Sequence, residues 1–214
     1  MARCDALKDA VIRGDAETAK AETSKALEEG AEPRDILVNG LIAGMNIVAE
    51  GMESGEMFLP EVLASAGAMH MGLNIVKPLL TTSDKEGLGK VVIGTVEGDI
   101  HDIGKRIVGL ILEGVGFLVT DIGVNVKAEV FAQAIKEHDP DILGMSALLT
   151  TTVPNMGKTI DLLKETRLRD KVKIIIGGAA STEEFAKSIG ADGYAPDASS
   201  AAKWARQVIA TRSS

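Results

Sequence analysis

Roughly the first 80 residues carry apolar side chains at three- and four-residue steps, the spacing of helices with one buried face. Residues 6–12 and 16–29 are rich in Ala, Lys and Glu, which are strong helix formers. Pro33 can open a third helix at its first turn, and Leu37, Leu41, Met45, Val48 and Met52 form its apolar stripe. Gly55 lies where that helix can stop. A further helix follows Pro60, with Val62, Ala66, Met69, Leu73 and Val76 on one face, and Pro78 marks its end. Amphipathic helices in such succession imply a bundle.

The pattern then changes. Residues 82–89 are polar and glycine-containing and read as a linker. Beyond them, candidate strands at 90–96, 117–121, 141–146, 171–176 and 191–195 alternate with helical segments at 103–113, 128–138, 155–165, 183–189 and 199–210. This alternation predicts a doubly wound, five-stranded parallel sheet with helices on both faces. The expected organisation is a helical domain over residues 1–82 and an α/β domain over residues 90–214. Ligands of such sheets bind outside the carboxyl ends of the strands. That rule points to residues 97–104, 147–154 and 177–182.

Composition narrows the class. The 214 residues are 45% hydrophobic and 25% charged, ordinary for a globular chain, but only 3% aromatic, so aliphatic side chains and Met must fill the core. The formal net charge of −8 argues against a nucleic-acid or anionic-membrane partner. No apolar run approaches the ~18 residues that span a bilayer. The N-terminus turns polar at Arg3, without the apolar core of a signal peptide. A single cysteine, Cys4, cannot form an internal disulfide, and a reducing cytoplasm is the expected compartment.

The candidate chemistry lies in the loop after the first strand. His101 follows Asp99 by two residues, and Gly98 and Gly104 flank the pair. A neutral imidazole binds a transition metal through one ring nitrogen, and its other N–H needs an acceptor, commonly a carboxylate. Asp99 can serve if the loop curls. The two glycines would let the backbone pass close to a bulky ligand. Alone, a loop histidine is more often a surface residue. Here Ser146, Ala147 and Leu148 end the third strand, hydroxyls follow at Thr150–Thr152, and Gly177, Gly178, Ala179 and Ala180 end the fourth. Small residues at two strand ends on one sheet edge predict a slot between strands. His70, in a helical run, and His138, between Glu137 and Asp139 at a helix end, read as ordinary packing or surface residues.

The ordered set D-x-H-x-x-G, S-x-L and G-G resembles the corrinoid proteins of methyltransferase systems, relatives of the B12-binding region of cobalamin-dependent methionine synthase. The segments 94–105, 51–61 and 191–198 carry the resemblance, which covers nearly the whole chain. It implies an N-terminal four-helix bundle cap followed by a flavodoxin- or Rossmann-like domain that holds a corrinoid, cobalamin or a related B12 derivative. His101 would be the lower axial cobalt ligand. Asp99 and Ser146 would form a relay behind it. Gly98, Asp102, Ile103, Gly104, Ala179 and Tyr194 would contact the cofactor, and its nucleotide tail would enter beside Ser146, Leu148, Thr150, Gly177 and Gly178. Met52 and Leu59 would cap the upper face. The implied function is a methyl relay. Cobalt would accept a methyl group from a donor on a substrate-specific methyltransferase and pass it to a second methyltransferase that uses tetrahydrofolate or a thiol. A reductive activator protein would serve as a further partner. A B12-dependent sensor would use the same cofactor but would need an output module, and no basic helix-turn-helix segment is visible.

Overall fold

The computed structural model describes residues 4–80 and 89–212. The linker expected at 82–89 therefore falls, apart from Gly89, outside the described residues. The chain divides into two compact units: residues 1–88 with 113–116, and residues 89–112 with 117–214.

The first unit is helical. Helices α1 (Asp5–Ile12) and α2 (Ala16–Glu28) are joined by a tight turn, and the Asp15 carboxylate caps α2 by accepting from Thr18 N–H at 3.0 Å. A single α-turn, α3 (Pro33–Asp35), begins at Pro33 and runs into a π-helical stretch, Ile36–Ile42, before α4 (Ala43–Ser54). The sequence periodicity does not reveal the π stretch. Its wider turn brings Ile36, Leu37, Gly40 and Leu41 all into the interior. Helix α5 (Leu59–Val76) starts with the Glu61 carboxylate accepting from Phe58 N–H at 2.8 Å. It ends in a 3₁₀ turn at Lys77–Leu79, where Pro78 sits. Helix α5 packs on α2, and Leu7, Val11, Ile36, Leu41, Met45, Val48, Val62, Met69 and Val76 are fully or almost fully buried.

One stretch corrects the sequence reading. Pro33–Met52 has the length and mean hydropathy, 1.2, of a membrane-crossing helix. Its apolar stripe is nonetheless committed to the interior of the helical unit, where Leu37, Leu41, Met45 and Val48 are buried.

The second unit is a parallel sheet of β1 (Lys90–Thr95), β2 (Leu118–Asp121), β3 (Ile142–Ser146), β4 (Lys173–Gly177) and β5 (Gly193–Ala195). Their spatial order is β2-β1-β3-β4-β5. The crossover helices are α6 (Ile103–Gly114), α7 (Ala128–His138), α8 (Pro154–Glu165) and α9 (Glu183–Ile189), and α10 (Ala198–Arg212) closes the chain. Strand patterns are nearly continuous in apolar residues because both faces are covered: Val91, Val92, Ile93, Ile142, Leu143, Ile174 and Ile176 are buried. Phe131, Met156, Ile160 and Leu163 pack from α7 and α8 on one face. The chain runs from β1 outward to β2, then crosses back past β1 to β3 and on to β4 and β5, so the carboxyl ends of β1 and β3 flank the switch point of the sheet. Thr95, Ser146, Gly177 and Ala195 stand in register across that edge.

Candidate cofactor-binding site

The site is built around a carboxylate that water does not reach. Asp99 is fully buried, in the turn that follows β1. Its Oδ1 accepts from His101 N–H at 3.0 Å and lies 2.7 Å from His101 Nδ1. Its Oδ2 accepts from Leu148 N–H at 2.8 Å and from the Thr152 hydroxyl at 2.7 Å, with Leu149 N–H farther off at 3.4 Å. Burial pushes the Asp99 carboxyl up, but these hydrogen bonds outweigh it and hold the group well below the usual carboxylate range. Asp99 is thus an ionised acceptor that grips the β1–α6 and β3–α8 loops together.

The His101 ring, 48% exposed, is oriented by that carboxylate through Nδ1, which leaves Nε2 as the nitrogen available to a metal. The His101 carbonyl accepts from the buried Thr95 hydroxyl at 3.0 Å. Around the loop, large apolar side chains remain exposed: Ile100, Ile103, Leu148 and Leu149. Such a group at a sheet's carboxyl edge suits a broad, largely apolar ligand. A β-carbon built at Gly104 would meet no atom of the chain, so backbone there is open to close approach. Among the described residues no three His, Cys, Asp or Glu side chains converge on one point. A lone imidazole suits a metal whose other positions are filled by a macrocycle.

The other expected residues fall as follows. Gly98, Asp102, Ile103 and Gly104 belong to the same loop and start of α6, Ser146, Leu148 and Thr150 to the end of β3 and its loop, and Gly177, Gly178 and Ala179 to the end of β4. Tyr194, in β5, is half-buried against the hydrophobic core. Met52 is half-buried in α4, and Leu59 is exposed at the first residue of α5. Two details differ from the sequence reading. No hydrogen bond of the Ser146 hydroxyl exists among the described residues; Thr152 is the hydroxyl that meets Asp99. The sequence placed Thr152 in a run of three threonines, and only the turn from Leu149, closed by Thr152 N–H on the Leu149 carbonyl at 3.0 Å, selects it. Further, Gly178 has a reason to be glycine within the chain itself. At φ +111° its added β-carbon would lie 2.1 Å from the Ala147 carbonyl oxygen, and one at Gly177 would lie 2.9 Å from that of Ala195. These glycines are required first by the chain's own strands.

A doubly wound sheet with an oriented imidazole and exposed apolar side chains at its switch point has the form of a cofactor-binding α/β protein. Profiles of the B12 binding domain match residues 3–77 and residues 89–203. The chain is 42% identical to a corrinoid protein of Desulfitobacterium hafniense over 98% of both chains. It is 45% identical to the dimethylamine corrinoid protein of Methanosarcina barkeri, over 95% of this chain and 96% of the relative. The crystal structure of the methanol:cobalamin methyltransferase complex from Methanosarcina barkeri contains a chain that superposes with a TM-score of 0.87 at 32% identity, covering 98% of this chain and 80% of that one. The chain belongs to the B12-binding corrinoid proteins of methyltransferase systems, and its cofactor is a corrinoid with cobalt.

Proposed function

We propose that His101, through Nε2, is the lower axial ligand of the corrinoid cobalt, and that this chain carries methyl groups between two methyltransferases in the cytoplasm. The observation that supports the ligand assignment is the 2.7 Å contact between His101 Nδ1 and the buried, ionised Asp99. A carboxylate on the far nitrogen fixes the tautomer, aims the ring and makes it a stronger donor. When bound, the cobalt supplies a nucleophile that accepts and delivers a methyl group. The protein's part is to hold and orient. Ile100, Ile103, Leu148 and Leu149 offer apolar surface to the ring, Asp99 retains the imidazole, and Thr152 and Leu148 N–H hold Asp99.

The first partner is a substrate-specific methyltransferase, as the names of the relatives suggest; they point to methylated amines or methanol as the class of donor. The second partner transfers the methyl group to tetrahydrofolate or a thiol, and a reductive activator rescues oxidised cofactor. Gly98, Asp102, Gly104, Ser146, Thr150, Gly177, Gly178, Ala179 and Tyr194 are proposed to contact the corrinoid or its tail. Met52 and Leu59 are assigned to its upper face on family membership alone.

The test is electron paramagnetic resonance of the Co(II) form. The parent protein should show nitrogen superhyperfine splitting from one imidazole, and His101→Ala should lose it. Unchanged splitting in His101→Ala, with the cofactor's own base labelled to exclude its return, would sink the assignment.

A further inference from the structure

Two asparagines, one on a loop and one at the start of a helix, grip the backbone just before His101. Asn125 lies in the β2–α7 connection. Its Oδ1 accepts from Gly98 N–H at 2.7 Å, and its own N–H donates to the Asp99 carbonyl at 2.8 Å. Asn155, in the first turn of α8, donates from Nδ2 to the Glu97 carbonyl at 2.7 Å. Three successive residues, Glu97, Gly98 and Asp99, are therefore held through their main chain from the β2–α7 connection and the start of α8, separately from the bonds made by the Asp99 carboxylate.

The β2–α7 connection is itself anchored to β1. Ile122 N–H donates to the Ile93 carbonyl at 2.9 Å, Thr95 N–H to the Gly123 carbonyl at 3.0 Å, and Val126 N–H to the Thr95 carbonyl at 2.9 Å. Asn125 sits at φ +54°, a left-handed conformation that Asn tolerates better than most residues with a side chain. That conformation lets its main-chain N–H and its side-chain oxygen serve the same turn. Across from it, Gly98 is also left-handed, at φ +82°. With no side chain of its own, Gly98 depends on its neighbours to keep the peptide plane from rotating.

We infer that Asn125 is a positioning residue for the His101 imidazole, acting through Asp99, with Asn155 as its counterpart on the opposite side of the loop. This rests on the reading of His101 as the cobalt ligand. The ring is half exposed, so packing alone does not fix it; its direction depends on the single contact to Asp99 Oδ1. The Asp99 carboxylate is held at its far end by Leu148 N–H and the Thr152 hydroxyl, and its aim at the ring also depends on the Gly98 and Asp99 peptides that carry it. Releasing Gly98 N–H leaves that peptide held on its carbonyl side by Asn155, with Asp99 N–H on the Val96 carbonyl at 3.1 Å, and so loosens the aim of the carboxylate at the ring.

Two variants of the full-length chain separate the side-chain bond from the backbone requirement. Asn125→Gly keeps the left-handed conformation and the main-chain donor but removes Oδ1. Asn125→Asp restores an acceptor oxygen and also tolerates φ above zero. The first readout uses apoprotein labelled with ¹⁵N-histidine, in which the His101 ring should be locked with its proton on Nδ1. Asn125→Gly should give a mixture of ring tautomers, Asn125→Asp the parent spectrum, and Asn155→Ala a smaller change in the same direction without touching a left-handed residue. The second readout is hydroxocobalamin affinity by visible absorbance. It should fall roughly 2- to 10-fold in Asn125→Gly, the range for one hydrogen bond, and recover in Asn125→Asp. In an Asp99→Ala background, which removes every acceptor from the Nδ1 side of the ring, Asn125→Gly should leave the His101 ring unchanged, because the link through which it acts is gone.

A parent-like His101 ring in both Asn125→Gly and Asn155→Ala would overturn the inference. So would an affinity loss that Asn125→Asp fails to rescue while the ring stays locked, since that pattern belongs to a merely structural residue. The apoprotein spectrum contains no cobalt, so it reports on Asn125 even if His101→Ala proves that another group binds the metal.

Discussion

At the scale of single residues, the site turns on the protonation state of one buried carboxylate. Asp99 offers only acceptors to at least four donor groups: His101 N–H, the His101 ring, Leu148 N–H and the Thr152 hydroxyl. In Asp99→Asn the amide –NH₂ replaces one acceptor oxygen and leaves donors facing donors. The apoprotein should lose roughly 1–3 kcal/mol in urea unfolding at neutral pH, the cost of buried polar groups left unpaired. The pH dependence has a definite sign. The folded-state pKa of Asp99 is depressed, so its stabilisation is complete above the ordinary carboxylate value of about 4 and is lost as pH falls below it. The stability gap between the parent and Asp99→Asn should be flat from about pH 7 to 5 and shrink in stronger acid. A gap that widens in acid would refute an ionised Asp99. Thr152→Val should also cost about 1 kcal/mol or more, because it strands Oδ2 beside a methyl group, while Thr152→Ser retains the bond. Ser146→Ala should fall within about 0.5 kcal/mol of the parent. A larger loss for Ser146→Ala than for Thr152→Val would support the relay through Ser146 that the resemblance implies.

At the scale of elements, the same comparison shows what a sequence can carry. The alternation of β-branched runs with helical segments located every strand and helix of the sheet, because burial on both faces writes itself into uninterrupted apolar runs. Strand starts slipped where polar residues cap rather than pair. Asp141 precedes β3 and accepts from Lys90 N–H at 2.8 Å, and Asp192 precedes β5 and accepts from Ile174 N–H at 2.8 Å. The π-helical stretch Ile36–Ile42 left no mark, since a locally wider turn still buries Leu37 and Leu41. The D-x-H spacing did expose the Asp99–His101 pair, a contact between near neighbours in the chain. Thr152 and Asn125 were not legible as partners, because they reach residues 96–101 from distant loops. Gly178 carries a second reason that the sequence does not show. Its left-handed φ and the 2.1 Å approach of the Ala147 carbonyl mean that any side chain strains the β3–β4 edge. Gly178→Ala should destabilise the protein by roughly 1–3 kcal/mol in urea and reduce corrinoid uptake in parallel. Parent-like stability with abolished uptake would show instead that the position faces the cofactor tail.

At the scale of the whole molecule, the methyl-carrying role sets two demands on one cofactor face. Under the proposed relay, the reactive face would be shielded between encounters yet open to the partner methyltransferase. The proposed role would require the shielding side chains to give way at each encounter. Leu59 is the side chain through which the shielding can be tested in the intact protein. It is exposed, at the first residue of α5, so its truncation removes little from the helical core. Photolysis of bound methylcobalamin provides the measurement, because light splits the bond to carbon and shielding keeps the two radicals together long enough to recombine. Leu59→Ala should therefore photolyse faster than the parent under anaerobic light. Its thermal melting should shift little, in line with a surface substitution of about 0.5 kcal/mol or less. Met52→Ala should accelerate photolysis less cleanly, because Met52 is half-buried in α4 and its loss also loosens that helix. Equal photolysis rates in Leu59→Ala and the parent, at equal cofactor loading, would remove Leu59 from the upper face and leave the helical unit without an assigned role in shielding.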